Sequence, residues 1–349
     1  NQYFIRRGFD IINPDSPFDI FSPLNLYEYV STRCRAFSEI NAFSFRAYLA
    51  VRKLLREVPF DVIHDNQCLG YGFLLMKTLG VPLVATIHHP LTIDVENVIE
   101  RAPDFMTRVR GVSFYPILMQ KITAKRFDHI ITVSEDSKRR IRDAFGVPLE
   151  KQTVVYNGLD LSVFRPLAGV RRKKNSLIFV GNVEDGKKGF AYLLRAMKDV
   201  NPLATLTVVD GGSPHRNVTS QLIDSLGLGD RVRFTGKIDT PDLVRLYNEA
   251  GIAIVPSVYE GFGFPAAEAM ACGTPVIASD GGALPEVVEG AGVTVPARDH
   301  NALAHTINTL LADRRSLARM SREGIRRVNE RFNWDRAAER MVEVYETLV

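Results

Sequence analysis

Short apolar runs alternate with amphipathic stretches along most of this chain, and turn residues separate them. Residues 60–64 read as a short strand, 69–79 as a helix and 82–87 as a buried strand. Residues 106–127 carry apolar positions at helical spacing, and 129–133, 135–145 and 153–156 follow as strand, helix and strand. Strands separated by helices predict a parallel sheet covered on both faces. Ahead of this series, 36–58 has helical periodicity and stops at Pro59, whereas 10–26, rich in Pro, Asp and Phe, reads as irregular structure.

The pattern breaks at 165–175, a polar stretch with Arg171, Arg172, Lys173 and Lys174, and this reads as a linker. Strands then recur at 177–180, 203–209, 232–235, 252–255, 276–278 and 293–295. Helices lie between them at 190–200, 217–226, 241–250 and 265–272. The tail is helical, and Asn333 is placed to cap a last helix from Trp334. The expected fold is therefore α/β: two Rossmann-like, doubly wound parallel-sheet domains facing a cleft at the carboxyl ends of their strands. The expected division is 1–166, 167–332, and a final helix, 333–349, packing back on the first domain.

Length and composition agree with this. The 349 residues suit two domains, and 46% hydrophobic with 24% charged residues is the balance of a soluble globular protein. A net charge of +4 fits an anionic ligand or a membrane surface and is too small to argue for nucleic acid. Cys34, Cys68 and Cys272 are scattered without metal-ligand spacing, so they read as reduced thiols in a cytoplasmic protein. The most membrane-like window, 69–87, is interrupted by Lys77, Gly80 and Pro82. Residues 101–126 mix Arg108, Arg110, Lys121, Lys125 and Arg126 with Phe105, Met106, Phe114, Tyr115, Leu118 and Met119. Two readings stand there: a long helix with one core face, or a peripheral patch for the inner face of a membrane.

The most informative run is 256–288, PSVYEGFGFPAAEAMACGTPVIASDGGALPEVV. Pro265 suits a first helical turn, and Gly273 with Pro275 ends the helix. Gly261, Phe262, Gly263 and Phe264 therefore stand at a helix N-terminus, whose unpaired amides attract phosphate. Glu260 and Glu268 flank it. An anion site beside two hydroxyl-seeking carboxylates suits a diphosphate that carries sugars. The competing reading is an ordinary strand-loop-helix unit with solvated glutamates.

Other strand ends add candidates. Gly181-Asn182 opens a loop containing Lys187 and Lys188, either of which can neutralise a diphosphate or merely lie solvated in a turn. Asp210-Gly211-Gly212 permits close backbone approach or simply a turn, and Ile238 follows another strand end. In the first half, His64-Asp65-Asn66 and Thr86-Ile87-His88-His89 end strands, and both face the expected cleft. No metal-ligand pattern joins these histidines, and no Asp-x-Asp, Gly-x-Ser-x-Gly or P-loop occurs.

From about Phe60 onward the chain resembles the family-4 retaining glycosyltransferases of the GT-B fold. The E-x7-E motif, Glu260 to Glu268, carries the resemblance, supported by TIHH at 86–89, ITVSE at 131–135, VYNGLD at 155–160, KKGF at 187–190 and GGALPEVV at 281–288. The resemblance implies a nucleotide-sugar donor, a hydroxyl acceptor on a glycan, lipid or small molecule, and neither metal nor cofactor. Glu260 and the backbone of 261–264 would then hold donor sugar and diphosphate, Glu268 the ribose, and Lys188 the phosphates. His88 would lie near the donor sugar and the reacting hydroxyl, with His64, Asn66 and His89 on the acceptor side.

Two features depart from the family. Asn182 stands where an arginine is usual, and Gly8 is the only glycine before Gly70, so the glycine-rich loop of the first strand is missing. A chain shortened at its N-terminus is the expectation from the second. Two rivals follow: a nucleotide-sugar epimerase, which needs no acceptor, and a non-catalytic subunit that binds donor without transferring it.

Overall fold

The computed structural model describes residues 22–33, 39–102, 104–211 and 217–349. They form two compact units. One runs to Val154, apart from Ser134–Asp136, and takes in Val342–Val349; the other comprises Ser134–Asp136 and Val155–Met341.

Up to Val154 the elements are α1 (Pro23–Arg33), α2 (Glu39–Leu54), β1 (Ile63–Asn66), α3 (Gly72–Met76), β2 (Leu83–Ile87), α4 (Thr92–Arg101), α5 (Phe105–Phe114), α6 (Ile117–Ala124), β3 (His129–Thr132), α7 (Glu135–Phe145) and β4 (Gln152–Val154). The strands pair in parallel in the order β1-β2-β3-β4. β2 is buried along its whole length, which is why LVATI reads as a continuous apolar run. Phe73, Leu83, Ile87, Phe127, Ile130, Ile141 and Phe145 form the core, each burial contributing roughly 1.5–3 kcal/mol.

Three expectations change in this half. The helix expected at 106–127 is two helices, because Pro116 lacks an amide donor and Tyr115 before it turns extended (φ −89°, ψ 125°). The core face is confined to its second part, where Met119, Ala124 and Phe127 are buried, whereas Phe105, Met106 and Leu118 are 78%, 57% and 66% exposed. The first strand starts at Ile63 rather than Phe60 and extends to Asn66, because its register sets His64, Asp65 and Asn66 opposite Val84, Ala85 and Thr86. Helix α1 begins inside the stretch read as irregular, and α4 has no counterpart in the sequence reading. The rest of that irregular stretch, Gly8, Cys34 and Gly212 lie outside the described residues.

The second unit holds β5 (Ser176–Val180), α8 (Phe190–Asp199), β6 (Thr205–Val209), α9 (Asn217–Ser225), β7 (Val232–Phe234), α10 (Thr240–Glu249), β8 (Ile252–Val255), α11 (Phe264–Ala271), β9 (Val276–Ser279), α12 (Leu284–Val288), β10 (Val293–Val295), α13 (His300–Ala312) and α14 (Arg314–Arg331). Its six strands are parallel in the order β10-β9-β8-β5-β6-β7. β5 pairs with β6 on one side and β8 on the other, so strand order reverses there. The segment read as a linker is pinned to this unit: Arg172 Nη2 donates to Gly273 O (2.7 Å) and the Leu167 amide to Asn248 Oδ1 (2.8 Å). Helix α15 (Trp334–Glu346) starts where expected, with Asn333 Oδ1 accepting from the Arg336 amide at 2.8 Å.

Both halves are thus parallel α/β units of Rossmann type. Among the described residues no helix is long and apolar enough to cross a membrane. Cys68 and Cys272 are buried free thiols, and burial pushes both up to about 12.

Candidate functional site

Loops leaving the carboxyl ends of β5 and β8 emerge side by side at the point of strand reversal, where open α/β sheets bind ligands. The β5 loop is ordered by its own short polar side chains. Asn182 Oδ1 accepts from the Glu184 amide (2.9 Å), and Asp185 accepts from the Lys187 amide (3.0 Å) to cap a 3₁₀ turn at Gly186–Lys188. This turn packs on the β8 loop backbone to backbone. The Val258 amide donates to Lys187 O at 2.7 Å. Gly189 has φ +69°, and a Cβ there would stand 1.9 Å from Pro256 O, so only glycine fits.

That packing brings Lys188 Nζ to Glu260 Oε1 at 2.7 Å. Ser257 Oγ donates to the same oxygen at 2.8 Å. The Lys188 and Glu260 side chains are only 27% and 12% exposed, so this pair is partly withdrawn from water. The loop after β9 supports Glu260 from a third side. The Ala283 amide donates to Glu260 O (2.9 Å), Ser279 Oγ donates to Ser257 O, and a Cβ on Gly281 would lie 2.3 Å from Ser257 O. The double glycine is thus needed for loop packing. Gly181 also belongs here, since a Cβ on it would lie 3.7 Å from Lys188 Cδ.

Helix α11 starts at Gly263, which has φ +103° and no side-chain cap. Pro265 carries no amide proton, and the Ala266 and Ala267 amides turn back to Gly263 O (3.0 and 3.3 Å). Gly261 is engaged within the protein. Among the described residues the amides of Phe262, Gly263 and Phe264 make no hydrogen bond, but Phe262 and Gly263 are buried and only Phe264 is exposed, so the helix start is a more enclosed anion site than 261–264 implied. Phe262 is 4% exposed, and its ring packs edge-on against Phe264 and Phe332.

Glu268 lies in the second turn of α11. Tyr247 of α10, fully buried, donates its hydroxyl to Glu268 Oε2 at 2.9 Å. Burial raises the Glu268 carboxyl above its usual range, and the tyrosine bond holds it back. Gly211 and Ile238 follow β6 and β7 along the same carboxyl edge; a Cβ at Gly211 would meet nothing within 4 Å among the described residues. Lys187 is likewise engaged within the protein.

In the first unit the histidines divide. His64 has both ring nitrogens occupied, Nε2 by Thr86 Oγ1 (2.8 Å) and Nδ1 by Tyr345 OH (2.5 Å), and burial lowers its pKa. As placed, it joins β1 to β2 and to Val342–Val349 rather than offering a ring nitrogen to a ligand. His89 Nε2 lies 3.2 Å from Asp94 Oδ2 on α4. His88 Nε2 lies 3.0 Å from Asn66 Oδ1, and burial, reinforced by His89, lowers its pKa. Asn66 and His88 are thus brought together, while His64 faces a different set of partners.

These features coincide with what the chain is similar to. The profile of group 1 glycosyl transferases matches residues 164–327, and that of Glycosyltransferase Family 4 matches 3–163. The MMP alpha-(1->4)-mannosyltransferase of Mycolicibacterium hassiacum is 37% identical over 343 residues, 95% of this chain and 81% of that protein. The chain belongs to the family-4 glycosyltransferases of the GT-B fold. A D-inositol 3-phosphate glycosyltransferase of Thermobispora bispora is 30% identical over 309 residues, 82% of this chain and 70% of its own. Among solved structures, sucrose-phosphate synthase of Thermosynechococcus elongatus superposes with a TM-score of 0.74 at 28% identity, covering 89% of this chain and 79% of that one. Alr3699/HepE of Anabaena, at 23% identity and a TM-score of 0.72 over 86% and 82%, shares the fold.

Three residues of this glycosyltransferase escaped the sequence reading. Ser257 precedes the motif and resembles any loop serine. Tyr247 shares its helix stripe with Val244 and reads as core, which it also is. Gln67, beside Asn66, is bonded to the His88-His89 backbone. No periodicity or spacing singles it out.

Proposed function

We propose that this glycosyltransferase moves a hexosyl group from a nucleoside-diphosphate sugar to a hydroxyl, retaining the anomeric configuration. The observation that carries the reading is the convergence of Lys188, Glu260 and the start of α11 at the β5/β8 reversal. On donor binding the Lys188 ammonium exchanges Glu260 for the diphosphate, and the freed carboxylate accepts from sugar hydroxyls. Glu268, oriented by Tyr247, accepts from the ribose hydroxyls. As the glycosidic C–O bond breaks, charge grows on the leaving diphosphate. Lys188 and the start of α11 stabilise that charge more in the transition state than in the ground state.

Glu268 is held by Tyr247 for the ribose, and Glu260, once exchanged by Lys188, is engaged by Ser257 and the sugar hydroxyls. This supports attack by the acceptor on the face the diphosphate leaves, with a leaving-group oxygen taking the acceptor proton, over a double displacement through a carboxylate. His88 contacts a hydroxyl at the reacting centre. Charge neutralisation by Lys188 makes the reaction independent of added divalent metal, so chelation with EDTA leaves the rate unchanged. The name of the M. hassiacum relative supports mannose as the hexose, and that of the T. bispora relative supports polyol phosphates as acceptors to try. The protein works in the cytoplasm. Exposed Phe105, Met106 and Leu118 beside Arg108 and Lys121 support peripheral contact with an anionic membrane surface, which vesicle sedimentation tests.

A panel of UDP- and GDP-hexoses scored by thermal shift identifies the donor, because a ligand bound only by the folded state raises the melting temperature. Methyl α-mannoside and D-inositol 3-phosphate serve as acceptor probes, and NMR of the product gives the anomer. An α product from an α-linked donor is expected. An inverted product, or no shift with any nucleotide sugar, contradicts the reading.

A further inference from the structure

The loop after β1 is wound against its preference. Gln67 has φ +60° and Leu69 φ +52°, left-handed values that disfavour any residue with a Cβ. Asp65 imposes the turn, its carboxylate accepting from the Cys68 and Leu69 amides at 3.2 and 2.9 Å. Glycine would take the Gln67 conformation freely, so a glutamine there calls for a task that needs its side chain.

The side chain brackets the His88-His89 dipeptide, bonding the amide that enters it and the carbonyl that leaves it. Gln67 Oε1 accepts from the His88 amide at 2.6 Å, and Gln67 Nε2 donates to His89 O at 3.1 Å. Around it, Ser137 Oγ donates to His88 O at 2.7 Å, and Asn66 Oδ1 faces His88 Nε2 at 3.0 Å. With Oδ1 so placed, the ring carries its proton on Nε2 and keeps a lone pair on Nδ1. The amide, the carbonyl and the ring of His88 are each held by a different side chain.

We propose that Gln67 is a positioning residue: by bracketing the His88-His89 backbone it fixes where His88 Nδ1 meets the substrate hydroxyl. This rests on the role given to His88 above. The neighbouring Asn66 sets which nitrogen is the acceptor, and Gln67 sets where that nitrogen stands. Catalysis tolerates little displacement of such a group, since an error of about 1 Å costs on the order of a hundredfold.

The discriminating variant is Gln67→Gly, which removes the clamp and relieves the backbone at once. Its melting temperature is expected to equal or exceed that of the wild type. Turnover, read as nucleoside diphosphate released from GDP-mannose or UDP-glucose, is expected to fall on the order of ten- to a hundredfold. The KM for the nucleotide sugar is expected to stay nearly unchanged. In a His88→Ala background the same change should cost nothing further, because the group it positions is gone. Wild-type turnover in Gln67→Gly, or an equal loss in both backgrounds, overturns the inference. If His88→Ala is itself silent, the role of His88 falls, a result distinct from silence of Gln67→Gly alone.

Discussion

The two halves of the candidate machinery are built from different materials. In the second unit, loops meet backbone to backbone: Gly189 lies against Pro256, and Gly281 and Gly282 against Ser257 and Glu260, where no Cβ fits. In the first, side chains reach across to fix a peptide: Gln67, Asn66 and Ser137 each take one group of His88. A glycine-built site fails all at once, because any added atom pushes whole loops apart. A side-chain-built site fails one bond at a time, and its geometry drifts before its stability does. The proposed donor site is therefore expected to be brittle and the His88 cradle tunable.

The strongest way to break this contrast is Gly189→Ala. Its Cβ would overlap Pro256 O at a φ of +69°, so a loss above about 3 kcal/mol in urea unfolding is expected, or failure to accumulate folded protein. A small loss would mean the loops can part.

The first unit has its own stability test. Burial raises the Asp65 carboxyl from 3.8 to about 6, against two backbone bonds that lower it. A raised carboxyl contributes stability that is full below pH 3.8 and is lost as pH rises through about 6, by up to about 3 kcal/mol. The stability difference between wild type and Asp65→Asn should therefore change across that window and flatten outside it. A constant difference from pH 3 to 8 contradicts the assignment.

Tyr247→Phe removes a single bond and sharpens the comparison from the other side. It leaves Glu268 Oε2 without its partner, at an expected cost of about 1–2 kcal/mol. Because that bond lowers the Glu268 pKa, its loss raises it further, and the pH below which nucleotide-sugar binding weakens should move upward. The smallest effect is expected for Gly211→Ala. Among the described residues nothing lies within 4 Å of the added methyl, so stability should stay within about 0.5 kcal/mol, and any change should appear in donor affinity alone.

The same contrast explains what could be read in the sequence. Strands such as Ile252–Val255 and Val293–Val295 are legible because a fully or half-covered parallel strand must be apolar, and glycines flag the loops between them because only glycine admits such contacts. The pair Glu260 and Glu268 stood out for that reason. The first unit was harder. Pro116 was visible, yet helical spacing ran on through it, and the break follows from the missing amide. His64 and His88 look alike as residues at strand ends, and only the fold gives one of them Tyr345, from 281 positions away, and the other Asn66. Gln67 has no motif at all, because its task depends on a backbone angle that sequence does not print.

The central claim is that a nucleotide sugar is held at the strand reversal of the second unit by Lys188, Glu260 and Glu268. Calorimetric titration of GDP-mannose and UDP-glucose into wild type, Lys188→Ala and Glu268→Ala tests it most directly. At least one donor is expected to bind the wild type, with affinity falling on the order of tenfold or more in each folded variant. Wild-type affinity retained in both variants would contradict it.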